Sequence, residues 1–361
     1  MDKLEAFTEL MSSLVCDEIF YQRRVMTKDM LLEVLNKCVL GSGTTLIVGG
    51  VKSNQYQVQN TMERRQGNSW FTVEPFPSVT SGHAMTRMLN NDVLLAGGQI
   101  VHVARSICKR YRPSMGKWLS VDALKFPRFY HTAVTLETGE AMAAGGVSMV
   151  DDEGTEMTDS IEFLDPETMC WSSRPELVLP LVLAQHCAVT LTNGDVLFMG
   201  GMTFMGMFRG GKRIVTDRCF IYNHRTGVFR EVSRMKSPRT SHTAILIPNG
   251  DIMVIGGYEE RRFIYDGKHV TAPVSSCEIY TPATDTWTLT TPMPKARARH
   301  CCFLVAEGVM IVGGCSSSAY YEQDDIENQG AIFNYDKKTW RTNIFVPVSA
   351  TVNEGACASF L

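Results

Sequence analysis

Imidazole and thiol groups adjoin at two places in the sequence, His186-Cys187 and His300-Cys301-Cys302. Both groups are ligand types that Zn²⁺ prefers, so a metal centre is the first chemistry to consider. Both histidines open apolar stretches of strand length, and neighbouring residues on a strand point to opposite faces of the sheet. One ion therefore cannot easily collect both side chains, and the cysteines form no CxxC pair. We predict no metal site and no cofactor.

Histidines of this kind recur along the chain, which favours a structural role for them. Each one opens an apolar stretch, and the set is His83, His131, His186, His242 and His300. Because each occupies the same place in a repeated unit, we interpret all five as structural residues.

The repeated unit contains a Gly-Gly doublet that ends an apolar run. The six runs are TLIVGG, VLLAGG, AMAAGG, VLFMGG, IMVIGG and VMIVGG, and each has the composition of a short buried strand. The doublets begin at Gly49, Gly97, Gly145, Gly200, Gly256 and Gly313, so the steps between them are 48, 48, 55, 56 and 57 residues. A period of roughly 50 residues indicates a repeat architecture such as a propeller.

Turn residues and aromatic residues stand at fixed offsets from each doublet. Upstream lie turns such as Asn193-Gly194, and Asn-Gly favours the two-residue turns that join paired strands. Downstream, a Tyr or Leu is followed by an aromatic seven residues later, in the pairs Tyr111/Trp118, Leu164/Trp171, Tyr222/Phe229 and Tyr280/Trp287. The last repeat shortens this spacing to Tyr335/Trp340, and the first repeat keeps only Trp70.

Gly-Gly, then Tyr, then Trp at fixed offsets is similar to the kelch motif, and the resemblance covers roughly residues 43–361. It implies an all-β fold, a six-bladed kelch β-propeller in which each blade is a four-stranded sheet. We name the strands a to d: strand a starts at the histidine, b ends at the Gly-Gly doublet, c carries the Tyr and d carries the Trp.

The two ends of the chain complete this expectation. Thr44–Val48 is already a strand b, so blade 1 lacks its strand a on the N-terminal side, whereas Ala356–Leu361 resembles a spare strand a. We predict that this C-terminal strand closes the ring.

Residues 1–42 instead show the amphipathic helix pattern, from Leu4 to Ile19. They are expected to form a short helical segment. It packs on the propeller rim, or is a remnant of the helical region of BTB-kelch proteins, or is a dimer contact.

Composition limits the class of partner and the compartment. The net charge is only −3, which gives no global attraction to nucleic acid or to an anionic membrane. The N-terminus lacks the apolar core of a signal peptide, and no run of 18 apolar residues exists. The eleven cysteines are scattered and odd in number. We expect a cytoplasmic protein with free thiols, no nucleic acid partner and no membrane.

Kelch propellers with enzymatic activity provide a test for catalysis. A copper-radical oxidase needs a Tyr/Cys/His constellation, and a nitrile-specifier-like iron site needs Glu, Asp and His at a spacing of four; neither has a persuasive match here. A sialic-acid mutarotase resembles this chain in blade number, and it would need a polar pocket at the channel mouth. We expect no enzyme, with a mutarotase-like sugar enzyme as the third alternative.

The long loops carry the predicted binding site. The resemblance implies that the b–c and d–a loops share one face, which is similar to the peptide-binding surface of kelch ubiquitin-ligase adaptors. The b–c loop of blade 3 is acidic, from Asp151 to Asp159, and that of blade 4 is basic and rich in Met and Phe. The expected protein-binding residues are Phe204, Phe208, Arg209, Lys212, Arg213, Lys236, Arg239, Lys295, Arg297 and Arg299. Two alternatives stay open: the loop charges are merely solvated, and the arginines of the Arg-x-x-His motif (Arg128, Arg239, Arg297) are structural.

These expectations lead to a non-enzymatic protein-interaction scaffold. The leading hypothesis is a protein that binds or crosslinks filamentous actin, as the resemblance to scruin-type proteins implies, with a cytoplasmic and cytoskeletal location. The second hypothesis is the substrate-recognition propeller of a Cullin-3-type ubiquitin ligase adaptor, which would need a BTB domain.

Overall fold

The computed structural model of the chain describes residues 44–52, 57–66, 69–78, 80–100, 103–151, 154–204, 213–265, 268–316, 329–346 and 356–360. Every regular element within these ranges is a β-strand. The predicted helical segment, residues 1–42, and the predicted boundary at residue 43 lie outside the described residues.

The described strands form six four-stranded antiparallel sheets, each of which is one blade of a β-propeller. In the order a, b, c, d, blade 1 contains β32 (Ala356–Phe360), β1 (Thr44–Lys52), β2 (Gln57–Gln66) and β3 (Ser69–Thr72), and blade 2 contains β4 (Ala84–Arg87), β5 (Val93–Ala96), β8 (Cys108–Arg112) and β9 (Lys117–Ser120). In the same order, blade 3 contains β10 (Thr132–Thr135), β11 (Ala141–Ala144), β14 (Ser160–Leu164) and β15 (Trp171–Val178), and blade 4 contains β16 (Cys187–Thr190), β17 (Val196–Met199), β20 (Cys219–Asn223) and β21 (Val228–Val232). Blade 5 contains β22 (Thr243–Leu246), β23 (Ile252–Ile255), β26 (Cys277–Thr281) and β27 (Thr286–Thr290), and blade 6 contains β28 (Cys301–Val305), β29 (Gly308–Val312), β30 (Gln329–Asn334) and β31 (Thr339–Phe345).

Four two-stranded hairpins extend the loops between strands b and c. They are β6 (Gln99–Ile100) with β7 (Val103–Ala104) in blade 2, β12 (Val147–Asp151) with β13 (Gly154–Met157) in blade 3, β18 (Met202–Phe204) with β19 (Arg213–Val215) in blade 4, and β24 (Tyr258–Tyr265) with β25 (Lys268–Pro273) in blade 5.

The C-terminal strand closes the ring, as the sequence predicts. Five blades are each built from one continuous stretch of chain, whereas blade 1 takes its strand a from the other end. Strand β32 pairs with β1 from Thr44↔Phe360 to Val48↔Ala356. The a strands contact one another in a closed cycle, β4, β10, β16, β22, β28, β32 and back to β4, so they surround a central axis.

The hydrophobic core lies mainly between blades. In blades 2 to 5 the four residues of each strand b are all buried, because both faces of the strand are covered by neighbouring blades. The tryptophans of strand d join this core and also reach the preceding blade: the indole N–H of Trp287 donates to the carbonyl of Ser233 at 2.8 Å, and that of Trp340 to Thr291 at 3.0 Å. Blade 4 has Phe229 in this position, which packs on Tyr222 and Phe198 but has no N–H to donate.

The Gly-Gly doublets make the joints between consecutive blades. The second glycine of blade 5, Gly257, donates its N–H to the carbonyl of Arg297 in the d–a loop that leads into blade 6. The first, Gly256, has φ +56°, and a Cβ there would lie 2.4 Å from the Arg297 oxygen and 3.2 Å from the His300 ring. The same arrangement recurs at the doublets of blades 2, 3 and 4. Only glycine fits, because both its φ and its lack of Cβ are needed.

Candidate protein-interaction face

The b–c and d–a loops lie together on one face of the propeller. Isolated β-bridges connect the two loops of a blade, for example Thr240↔Tyr258 in blade 5 and Ala298↔Cys315 in blade 6. We call this side the loop face, and the opposite side, formed by the a–b and c–d turns, the turn face. The loop face is the side on which the sequence predicts a binding site.

The strand-opening histidines lie at this end of the channel and are structural. In four of them the ring packs against the first glycine of the preceding doublet, as His300 does against Gly256. In two joints the ring also accepts or donates a hydrogen bond across blades: His186 Nε2 lies 2.9 Å from Thr132 Oγ1, and His300 Nε2 lies 2.8 Å from Thr243 Oγ1.

Burial keeps four of these five imidazoles neutral. It lowers the pKa of His186 and of His300 to about 3, and the nearby Arg297 acts in the same direction on His300. The pKa of His131 and that of His242 also fall well below the usual value, first through burial and then through the adjacent Arg128 and Arg239. A general acid or base at neutral pH needs a pKa near the working pH, so these histidines are poorly suited to that role.

A series of backbone hydrogen bonds follows the mouth of the channel. The residue before each strand-opening histidine has a positive φ. The N–H groups of Tyr130, Gln185, Ser241 and Arg299 each donate to the carbonyl of the counterpart one blade earlier, at 2.7–2.9 Å, and Gly82 supplies the first carbonyl. These five residues and the five histidines line part of a cavity of about 290 Å³. Sequence reasoning missed this set except for Arg299, although its position before each histidine could have identified it.

Two of the predicted contact residues, Arg239 and Arg297, lie in the interior, so their prediction as partner contacts is wrong. Arg239 is 0% exposed and pairs with Glu278, whose carboxylate lies 2.6 Å from its guanidinium. It also donates to the carbonyls of Gly256 and Ser276. Arg297 is 4% exposed and donates to Gly313 and Gln329 carbonyls. These arginines satisfy the backbone of their own blade, so the structural interpretation of the Arg-x-x-His motif holds.

Among the described residues, the buried arginine–glutamate pair occurs in two blades. Blade 3 has the same pair as blade 5, with Arg128 2.8 Å from Glu162 and both side chains fully buried. Each carboxylate also accepts two backbone N–H groups of the d–a loop, those of Lys236 and Ser237 in the case of Glu278.

Blade 4 fills the same two positions with buried apolar side chains. Leu183 stands at the arginine position and Phe220 at the glutamate position. In its d–a loop Pro180 replaces the lysine, and proline has no N–H that a carboxylate could accept. The loop sequence and the buried pair therefore change together.

Other predicted contact residues lie on the loop face, and their role as contacts stays a prediction. Arg213, Lys236 and Lys295 are exposed, and they lie in the b–c loop of blade 4 and in the d–a loops that follow blades 4 and 5. Arg299 is partly exposed at the channel mouth, with its guanidinium carbon 5.5 Å from the centre of the Tyr258 ring. This part of the face carries cations on two neighbouring blades.

The apolar part of the predicted site is only partly described. Phe204 is half-buried, because it packs on a cluster under the loop face that includes Phe129, Val147 and Ala184. Less of its ring is therefore exposed than in a fully accessible aromatic side chain. Phe208, Arg209 and Lys212 lie outside the described residues.

Three further features of the described residues bear on the sequence predictions: metal ligands, thiols and membrane-spanning helices. No group of three or more His, Cys, Asp or Glu side chains suited to a metal ion occurs among the described residues. The cysteine side chains that the structure describes are free thiols, eight in number, and burial raises the pKa of Cys219 and Cys277 to about 12. Searching the described residues for a helix of membrane-spanning length and hydropathy gives no candidate.

Comparisons with known proteins point to one family. A family model described as the kelch motif matches residues 239–294. Kelch-like protein 26 of Danio rerio is 25% identical over 291 residues, which are 77% of this chain and 43% of the relative. Kelch-like protein 41b of Danio rerio is 31% identical over 199 residues, 53% of this chain and 28% of the relative. Kelch repeat and BTB domain-containing protein 12 of the same organism is 26% identical over 185 residues, 47% of this chain and 29% of the relative.

The chain thus spans less than half the length of these relatives. The matched motif covers the Arg239 to Met293 stretch, in which the structure shows one complete blade with its doublet, its tyrosine and its tryptophan. The repeat, the closed ring of four-stranded blades and these similarities agree: the chain is a β-propeller built from kelch repeats and is similar to kelch-like proteins.

Proposed function

We propose that this propeller is a non-enzymatic scaffold that binds a protein partner through its loop face, and that filamentous actin is the leading partner. The observation that carries the proposal is the exposure of Arg213, Lys236 and Lys295 on adjacent blades of that face. The arginines that the fold itself needs, Arg239 and Arg297, are buried. The exposed cations suit an acidic partner such as the actin filament.

Co-sedimentation with actin filaments tests the proposal. Changing Arg213, Lys236 and Lys295 to Glu should greatly reduce the fraction that pellets, because the charge of the contact is reversed. A matched control changes Lys117, Arg225 and Lys337 to Glu, three exposed cations in turns of the opposite face. The control should pellet like the unchanged protein, and circular dichroism should show that both variants fold. Absence of pelleting by the unchanged protein would refute actin as the partner.

A second candidate is the substrate-recognition propeller of a Cullin-3-type ubiquitin ligase adaptor. It is favoured by the relative whose name includes a BTB domain and by the small share of that relative that this chain matches. The test is co-precipitation of Cullin-3 with the natural full-length polypeptide. Binding there, together with no pelleting of the propeller with actin, would favour the adaptor over the actin scaffold.

A mutarotase-like enzyme is the third candidate. The cavity at the channel mouth supplies a polar pocket, but the four histidines with depressed pKa are neutral and lie in the joints between blades. This arrangement supports a structural use of the histidines over acid–base catalysis. A mutarotation assay by polarimetry with N-acetylneuraminic acid, in which no acceleration is expected, addresses it.

A further inference from the structure

The loop face of blade 2 differs from that of the blades around it. Its b–c loop contains only the short hairpin β6–β7, whereas the hairpins of blades 3 and 5 have longer strands. After this hairpin the chain lies beside the d–a loop: Leu124 N–H donates to Ser106 O at 2.9 Å, and Arg128 N–H donates to Arg105 O at 3.1 Å. Residues 103–106 and 124–128 are therefore adjacent.

The same pair of backbone contacts recurs in other blades, so equivalent positions can be compared. The N–H of Arg105 donates to the carbonyl of the second glycine in the Gly-Gly doublet of blade 2. Three residues make the same hydrogen bond in blades 3, 4 and 5: Thr158, Thr216 and Val274. Three blades thus have a small or β-branched uncharged residue where blade 2 has an exposed arginine.

The neighbouring d–a position is also unusual in blade 2. The N–H of Phe126 donates to Glu162, as that of Ser237 does to Glu278 in blade 5, so these two residues are equivalent. Blade 2 therefore places an aromatic side chain, 51% exposed, where the later loop has a serine. Val103, 61% exposed, and the exposed Lys125 lie in the same two segments.

We propose that Val103, Arg105, Lys125 and Phe126 form a second contact surface, the blade-2 patch, for a protein segment that carries acidic side chains around an aromatic or aliphatic anchor. Phe126 and Val103 offer apolar area, and aromatic side chains in such a setting are typical interaction hot spots. Arg105 and Lys125 flank them and select carboxylates by charge complementarity. The fold does not require these side chains, since the structural hydrogen bonds of Arg105, Lys125 and Phe126 come from their backbone.

This inference rests on the proposed role of the loop face in protein binding, but it does not require actin. It also extends that role to the side of the ring that sequence analysis did not select. A partner that contacts blades 4–5 and blade 2 would span the channel mouth.

The test uses the whole chain and three fluorescein-labelled synthetic peptides, measured by fluorescence anisotropy. The first peptide has Glu and Asp residues on both sides of one Phe; the second replaces Phe by Ala; the third replaces the acidic residues by Lys. The first peptide should bind the unchanged protein, more weakly as salt rises, because exposed charges are screened. The second and third should bind about tenfold more weakly or not at all.

Variants of the chain then locate the site. Phe126→Ser, and the pair Arg105→Glu with Lys125→Glu, should each weaken binding of the first peptide about tenfold, while Phe126→Trp should retain it. The control pair Met115→Ser with Lys117→Glu, on the turn face of the same blade, should leave it unchanged. The inference would be overturned if the first peptide did not bind the unchanged protein, or if it bound the blade-2 variants as tightly as the unchanged protein.

A further variant separates this inference from the proposed function. If changing Arg213, Lys236 and Lys295 to Glu weakens binding of the first peptide and the blade-2 variants do not, the proposal of the blade-2 patch fails and the proposed site stands. If the blade-2 variants weaken binding of the first peptide but the chain does not pellet with actin, the blade-2 patch stands and the actin proposal fails.

Discussion

Gly257 donates its backbone N–H to the carbonyl oxygen of Arg297 at 3.0 Å, and this contact joins blade 5 to blade 6. The glycine has φ +99°, and a Cβ on it would lie 2.7 Å from the Thr240 carbonyl and 2.8 Å from the His242 Cβ. The doublet, the histidine and the arginine of the repeat are thus parts of one joint.

Gly257→Ala should therefore destabilise the propeller by about 3 kcal/mol or more, from the positive φ and from overpacking. Gly227→Ala is a matched control, since Gly227 also has a positive φ, +72°, but its Cβ would meet no atom within 4 Å. The control should cost about 1 kcal/mol. Urea titration measures both, and equal costs would show that the joint is not close-packed.

The buried pair of blade 5 can be exchanged for the apolar pair of blade 4. Arg239→Leu alone or Glu278→Phe alone should cost about 3–5 kcal/mol, because each leaves a buried charge without its partner. The double variant copies Leu183 and Phe220, and it should be more stable than either single variant. A double variant as unstable as the sum of the singles would show that blade 4 depends on other compensations.

Features that depend on the repeated sequence pattern could be predicted more easily than features that depend on contacts between residues far apart in the sequence. The strands, the joints and the C-terminal closure were predictable because the doublets, histidines and tyrosines repeat in register. The burial of Arg239 was less predictable, because it depends on Glu278, which lies 39 residues away on another strand. Phe126 and Arg105 were missed because neither belongs to the repeated pattern, and their exposure is visible only in the folded structure.

Acid should destabilise the propeller before its carboxylates titrate. His186 and His300 have a folded pKa of about 3, whereas an unfolded histidine has about 6.5, so the unfolded state binds more protons below that pH. The contribution of each histidine to the free energy of unfolding is therefore fully present above about pH 6.5 and is lost as the pH drops towards 3. Between pH 7 and pH 5 this loss is about 2 kcal/mol per histidine. His131 and His242 act in the same direction.

Urea titrations at pH 7, 6 and 5 measure this slope. The variant His300→Gln removes one titrating group, so its stability should fall less steeply with pH than that of the unchanged protein. A midpoint independent of pH across this window would contradict the burial of neutral histidines.

The pairing of β32 with β1 makes the last residues necessary for the ring. Deleting residues 355–361 removes strand a of blade 1, so that β1 loses one of its two paired strands and β4 and β28 each lose one neighbouring strand. We expect loss of cooperative thermal unfolding by circular dichroism, and partial recovery when a synthetic peptide of residues 355–361 is added. A truncated chain with unchanged melting would contradict the closure.

Hydrogen–deuterium exchange of the chain with and without actin filaments reports which face of the propeller a partner covers. We expect slower exchange in the d–a loops at residues 233–240 and 291–299, with no change in the turns at residues 113–117 and 224–227 of the opposite face. Protection confined to those turns, or no protection anywhere at saturating actin, would contradict binding of filaments through the loop face.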